Sequence, residues 1–143
     1  MYQRIAVMYE HHAEGKKAFT QAIQIAKLLH LPLTVLTVAE PLPAYTAFAA
    51  ADPTALHTLE TDRTDFYDGL RTQLTSQGVA EGIETESHML EGGAVHVIAD
   101  FVTRNKVDLL IVGLHHRALR IASMWSTVYL LSQAVSCSIL GVQ

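Results

Sequence analysis

Two pairs of adjacent histidines are the residues of this chain best suited to chemistry. His11-His12 follow the apolar run Ile5-Ala-Val-Met8 and are preceded by Glu10, while His115-His116 follow the run Asp108-Leu-Leu-Ile-Val-Gly113 and are trailed by Arg117 and Arg120. Imidazole and carboxylate are ligand types that zinc, nickel and copper accept. A divalent metal held by His11, His12, His115 and His116 is therefore one chemistry these residues permit. Adjacent histidines point in different directions, so one imidazole from each pair with Glu10 or Glu91 is the minimal set. No established metal-ligand spacing accompanies them, and solvated loop histidines account for the same residues. Anion capture is a second chemistry. Arg117 and Arg120 stand beside His115-His116 and ahead of a helix beginning near Ser123 or Ser126, where guanidinium, hydroxyl and helix-terminal N–H groups can hold a phosphate or carboxylate. Imidazoles become cationic below neutrality and would strengthen such binding there.

Other reactive side chains point away from catalysis. Cys137 precedes an apolar strand with no histidine adjacent in sequence, which reads as a buried structural thiol. Ser123, Ser126, Ser132, Ser136 and Ser138 lack the glycine-flanked context of a nucleophile elbow. His30 and His96 lie in amphipathic stretches, and His57 and His88 are isolated. No turnover chemistry follows, and a non-enzyme is expected.

These residues need elements to position them. Ile5 to Met8 predicts a buried first strand. Ala18, Ala22, Ile25 and Leu29, with Phe19, Ile23 and Ala26 beside them, predict a helix after Gly15-Lys16-Lys17. Leu33 to Val38 predicts a second strand. Pro41, Pro43 and Pro53 bracket an Ala-rich stretch, Ala44 to Asp52, that reads as a loop. Leu56, Leu59, Phe66, Tyr67, Leu70 and Leu74 mark a long helix ending near Gly78, which suits a glycine cap. A weaker strand is expected around Ile83 to Met89, then a helix opened by Glu91-Gly92-Gly93 and closing near Asn105-Lys106. Asp108 begins a fourth strand, Val128, Leu131 and Val135 mark the last helix, and Ile139 to Val142 is the fifth strand. Strands alternating with helices predict a single α/β domain over residues 1–143, with an open, mostly parallel five-stranded sheet and helices on both faces.

Composition bounds the function classes. At 143 residues, half of them apolar, the chain has the size of one compact domain. A formal charge of −4 argues against non-specific nucleic-acid binding, which needs surplus Lys and Arg. One cysteine forms no internal disulfide and suits a reducing cytosol. The start lacks a signal-like apolar core, and no run reaches the roughly 18 apolar residues of a membrane span, so a cytoplasmic protein without membrane insertion is expected.

From Asp108 to Gln143 the strand–loop–helix–strand order resembles the universal stress protein family, whose phosphate-binding loop has the form G-x2-G-x9-G followed by Ser or Thr. Gly113 holds the first position, His116 the second, and Ser126-Thr127 fall where the last glycine and hydroxyl would stand. Counting back from Cys137, which matches a customary Cys-Pro, puts Trp125-Ser126 there instead. The resemblance covers nearly the whole chain: Glu10 replaces the aspartate after the first strand, and Val38 fits the valine that lies against adenine. It implies an adenine-nucleotide α-hydrolase-like fold with sheet order 3-2-1-4-5, which makes the strands before the two histidine pairs neighbours at the switch point, where ligands of such sheets bind. It also implies a nucleotide site formed by Glu10, Val38, Gly113, His116, Ser126 and Thr127.

Glycine lets phosphate approach backbone N–H groups closely, and histidine puts a ring where phosphate oxygens would sit. The expectation is a regulatory stress-response protein without family-type ATP binding or a required cofactor, acting through protein partners with a small anion in the crevice. The alternatives are a sensor with weak ATP or AMP affinity and slow hydrolysis, and a variant binding a divalent metal. The final strand lacks protecting charge or proline, and the family commonly dimerises through it, so a homodimer through that strand is expected.

Overall fold

The computed structural model of the chain describes residues 1–39, 52–114 and 127–143. Five parallel strands, β1 (Ile5–Met8), β2 (Leu33–Ala39), β3 (Thr85–Glu91), β4 (Leu109–Gly113) and β5 (Ser138–Val142), form one sheet. Their order is β3-β2-β1-β4-β5, as the resemblance implies. Between them run α1 (Ala13–Leu29), α2 (Pro53–Ala80), α3 (Ala94–Arg104) and, in the described part, α4 (Thr127–Ala134). The central strands β1 and β4 are buried on both faces, which is why they read as unbroken apolar runs rather than alternating ones.

The core has two layers. Ile5, Val7, Leu33, Val35, Leu109 and Ile111 face α1 and α2, meeting Ala18, Phe19, Ala22, Ala26 and Leu74. Ala6, Met8, Leu36, Leu110 and Val112 point the other way, against Ile98 and Val102 of α3 and Leu131 of α4. The split follows from the two-residue period of a strand. The start of β1 is pinned by Asp108, whose carboxylate accepts the backbone N–H groups of Gln3 at 2.8 Å and Arg4 at 2.9 Å.

Several boundaries differ from the sequence expectation, each for a local reason. α1 begins at Ala13, ahead of Gly15, because His12 caps it. α2 runs past Gly78, and the glycine that ends it is Gly82, at φ 78°. There the N–H of Ile83 donates to the carbonyl of Gly78 and that of Gly82 to Val79, the pairing of a Schellman cap. Gly78 serves packing instead: a Cβ on it would lie 1.9 Å from Oγ1 of Thr85. β3 accordingly starts at Thr85 and extends to Glu91. The start of α2 uses a signal present in the sequence: Asp52 Oδ1 accepts from the N–H of Thr54 at 3.1 Å, with Pro53 at the first helical position. The Ala-rich stretch 44–51 lies outside the described residues.

Among the described residues no helix is long and apolar enough to cross a membrane.

Candidate functional site

The carboxyl ends of β1 and β2 open into a crevice of about 510 Å³, lined on one side by Tyr9, Thr37, Phe66, Tyr67 and Leu70 and on the other by Met8, Val38, Ala94 and Thr127, with Glu10, His11 and His12 completing the wall. Strand alternation divides the walls. Tyr9 continues the row of Ile5 and Val7, and Thr37 that of Leu33 and Val35, so both belong to the α1–α2 face, while Met8 and Val38 belong to the α3–α4 face. The crevice therefore straddles the edge of the sheet beside the β1–β4 switch point, where open α/β sheets take ligands.

Five residues from the sequence expectation, Glu10, His11, His12, Val38 and Thr127, line this crevice, the last from the start of α4. His115, His116 and Ser126 lie outside the described residues, as do Arg117, Arg120 and Trp125. Gly113 ends β4, where it is pressed against α1: a Cβ there would meet the Glu14 carbonyl carbon at 2.6 Å and the Gly15 nitrogen at 2.8 Å. Its small size is required by this helix–strand contact, independently of any phosphate.

The first histidine pair divides into two roles. The Gly15 N–H donates to Nδ1 of His12 at 3.0 Å, and the Nε2–H of the same ring donates to Oε2 of Glu10 at 2.5 Å. Glu14 Oε2 lies 3.1 Å from that Nδ1. Both nitrogens of His12 are thus engaged, and a metal at this ring would have to displace a helix cap. The Glu10 carboxylate folds back onto the imidazole, which uses the extra methylene that distinguishes it from the expected aspartate. Among the described residues no group of three or more His, Cys, Asp and Glu side chains gathers as a metal would need. His11 instead lies beside Tyr9, with Nδ1 3.4 Å from the phenol oxygen. Burial raises the Tyr9 phenol above its ordinary range, so the phenol stays protonated at physiological pH.

Over residues 1–142 the sequence matches the profile described as the Universal stress protein family. The chain belongs to the universal stress protein family. Solved stress proteins share the fold: UspA from Lactobacillus plantarum is 20% identical, with 99% of this chain and 98% of that one covered and a TM-score of 0.73. A universal stress protein in complex with cAMP is 22% identical, with 99% and 97% covered and a TM-score of 0.70. An Arabidopsis thaliana family protein with AMP bound is 15% identical, with 98% and 90% covered and a TM-score of 0.69. No curated protein matches the chain.

Sequence reasoning named Glu10, His11, His12, Val38 and Thr127 but missed the other wall: Tyr9, Thr37, Phe66, Tyr67 and Leu70. One signal was available. Phe66 and Tyr67 are adjacent on a helix, about 100° apart by its 3.6-residue turn, so both cannot point into the same core. Phe66 is 58% exposed, a large aromatic surface at the mouth of the crevice.

Proposed function

We propose that this stress protein is a binding and regulatory protein, not an enzyme, whose crevice takes a nucleoside monophosphate or a smaller nucleoside ligand. The observation that carries this reading is the crevice itself. Its volume lies within the range of about 300–1,000 Å³ common for small-molecule sites, and its walls combine apolar and aromatic side chains with a few polar ones. The cAMP and AMP complexes of the similar folds support that ligand class. Polyphosphate is disfavoured by the sequence of the β4–α4 connection, where His116 and Ser126 stand in place of glycines, and by the Glu10 carboxylate on the wall.

Occupancy would be read by protein partners from a cytoplasmic homodimer. β5 pairs with β4 on one side and leaves its other edge open among the described residues, with Leu140 38% exposed. A strand of this kind favours pairing with its copy.

The test is a thermal-shift and calorimetric series with adenosine, AMP, cAMP and Mg-ATP. AMP at about 100 times its dissociation constant should stabilise the fold by about 2.7 kcal/mol. AMP or cAMP is expected to bind more tightly than Mg-ATP. Tighter Mg-ATP binding overturns the phosphate argument, and silence with all four ligands overturns the nucleotide reading.

A further inference from the structure

Thr37 carries a hydroxyl that the described fold does not use. Its Oγ1 is buried and finds no hydrogen-bond partner among the described residues. Native proteins satisfy nearly all such groups, and a valine would fill the same space without the desolvation cost. Thr37 also lines the crevice, in company with Tyr9, Phe66, Tyr67 and Leu70, whose rings and chains offer mostly apolar contact. A single hydroxyl on an aromatic wall is the pattern of a site that fixes a ring's orientation through one polar contact.

We infer that Thr37 determines specificity by hydrogen-bonding the polar edge of a planar heteroaromatic ring, a nucleobase, one face of which lies against the aromatic wall at Phe66. This rests on the nucleotide reading of the crevice and names the residue that selects the base. Oγ1 itself is covered from solvent, while the residue as a whole is only half-buried. A staggered step in χ1 turns Oγ1 from its covered position toward the ring. A hydroxyl both donates and accepts, so it can meet either a ring nitrogen or an exocyclic amine. Phe66, more than half exposed, supplies surface that a bound ring would cover.

Ser87 provides the internal control. Its Oγ is also buried without a partner among the described residues, but it lines a separate groove along β3 with Arg71 and Thr75. The experiment compares wild type, Thr37→Val and Ser87→Ala by thermal unfolding and by calorimetry with adenosine, AMP and ribose 5-phosphate. Thr37→Val should unfold at an equal or higher temperature and bind adenosine and AMP about tenfold more weakly. Its affinity for ribose 5-phosphate, which has no base, should be unchanged, and Ser87→Ala should bind all three as wild type does. A Thr37→Val protein that unfolds at a clearly lower temperature shows that the hydroxyl already has a partner, and overturns the inference. Equal AMP binding by wild type and Thr37→Val overturns it while leaving the nucleotide reading intact; absence of adenosine and AMP binding to wild type removes both.

Discussion

Nδ1 of His12 accepts the backbone N–H of Gly15 at 3.0 Å, so an imidazole caps α1 where serine, threonine or aspartate is the usual choice. The cap is tied in turn to the crevice wall through Glu10. His12→Ala should therefore destabilise the protein by about 1 kcal/mol, the usual cost of a lost N-cap. His12→Asn, whose side-chain oxygen can accept the same N–H, should recover most of it. Chemical denaturation of the three proteins checks this, and equal stabilities of His12→Ala and wild type would show the cap to be without weight.

Gly78 and Thr85 offer a test in which two effects oppose one another. Alanine is a better helix former than glycine by up to about 1 kcal/mol. A Cβ on Gly78, however, would meet Thr85 at 1.9 Å (Oγ1) and 2.7 Å (Cβ). Overpacking of this kind costs about 1–3 kcal/mol, so Gly78→Ala should be net destabilising. Thr85→Ala in the same chain should relieve part of the loss by removing the hydroxyl and methyl. A double-mutant cycle measures the coupling, and purely additive effects would contradict the contact.

Asp108 binds two consecutive backbone N–H groups at the start of β1. Asp108→Ala removes both acceptors at an exposed site where water can replace them, so the expected loss is about 1 kcal/mol. Amide hydrogen exchange at Gln3 and Arg4 should accelerate selectively, while exchange in the middle of β1 should change less. Unaltered exchange at Gln3 and Arg4 would remove Asp108 from this role.

Burial pushes the Cys137 thiol above its ordinary range, with Asp108 adding to the effect against two lowering backbone hydrogen bonds. A group with a raised folded-state pKa favours the fold below the unfolded thiol's pKa and loses that contribution as pH rises through the folded value. Alkylation of Cys137 should be slow at neutral pH and should accelerate only above the range of an exposed thiol. The pH–rate profile with iodoacetamide reports this directly. A midpoint at or below that of a free cysteine would contradict the burial argument.

The parts of the fold legible in the sequence are those written in neighbouring residues. The unbroken apolar run at β1, the 3–4 spacing of Ala18, Ala22, Ile25 and Leu29, and the alternation of such runs were enough to predict a five-stranded α/β sheet. Part of the crevice was equally legible, because Glu10 and Val38 immediately follow or end predicted strands. The facing aromatic wall was not: Phe66 and Tyr67 come from the middle of a long helix, and only the crossing of α2 over β2 and β3 brings them to Thr37.

The sequence by itself determined the class of fold and the positions of its strands, since periodicity and residue type are local properties of the chain. Tertiary structure decided what individual residues do. It made His12 a helix cap, gave Gly113 and Gly78 to close contacts with α1 and β3, and placed Thr37 on the aromatic side of the crevice. These roles depend on which backbone or side chain approaches across the sheet, and strand register and helix packing set that approach.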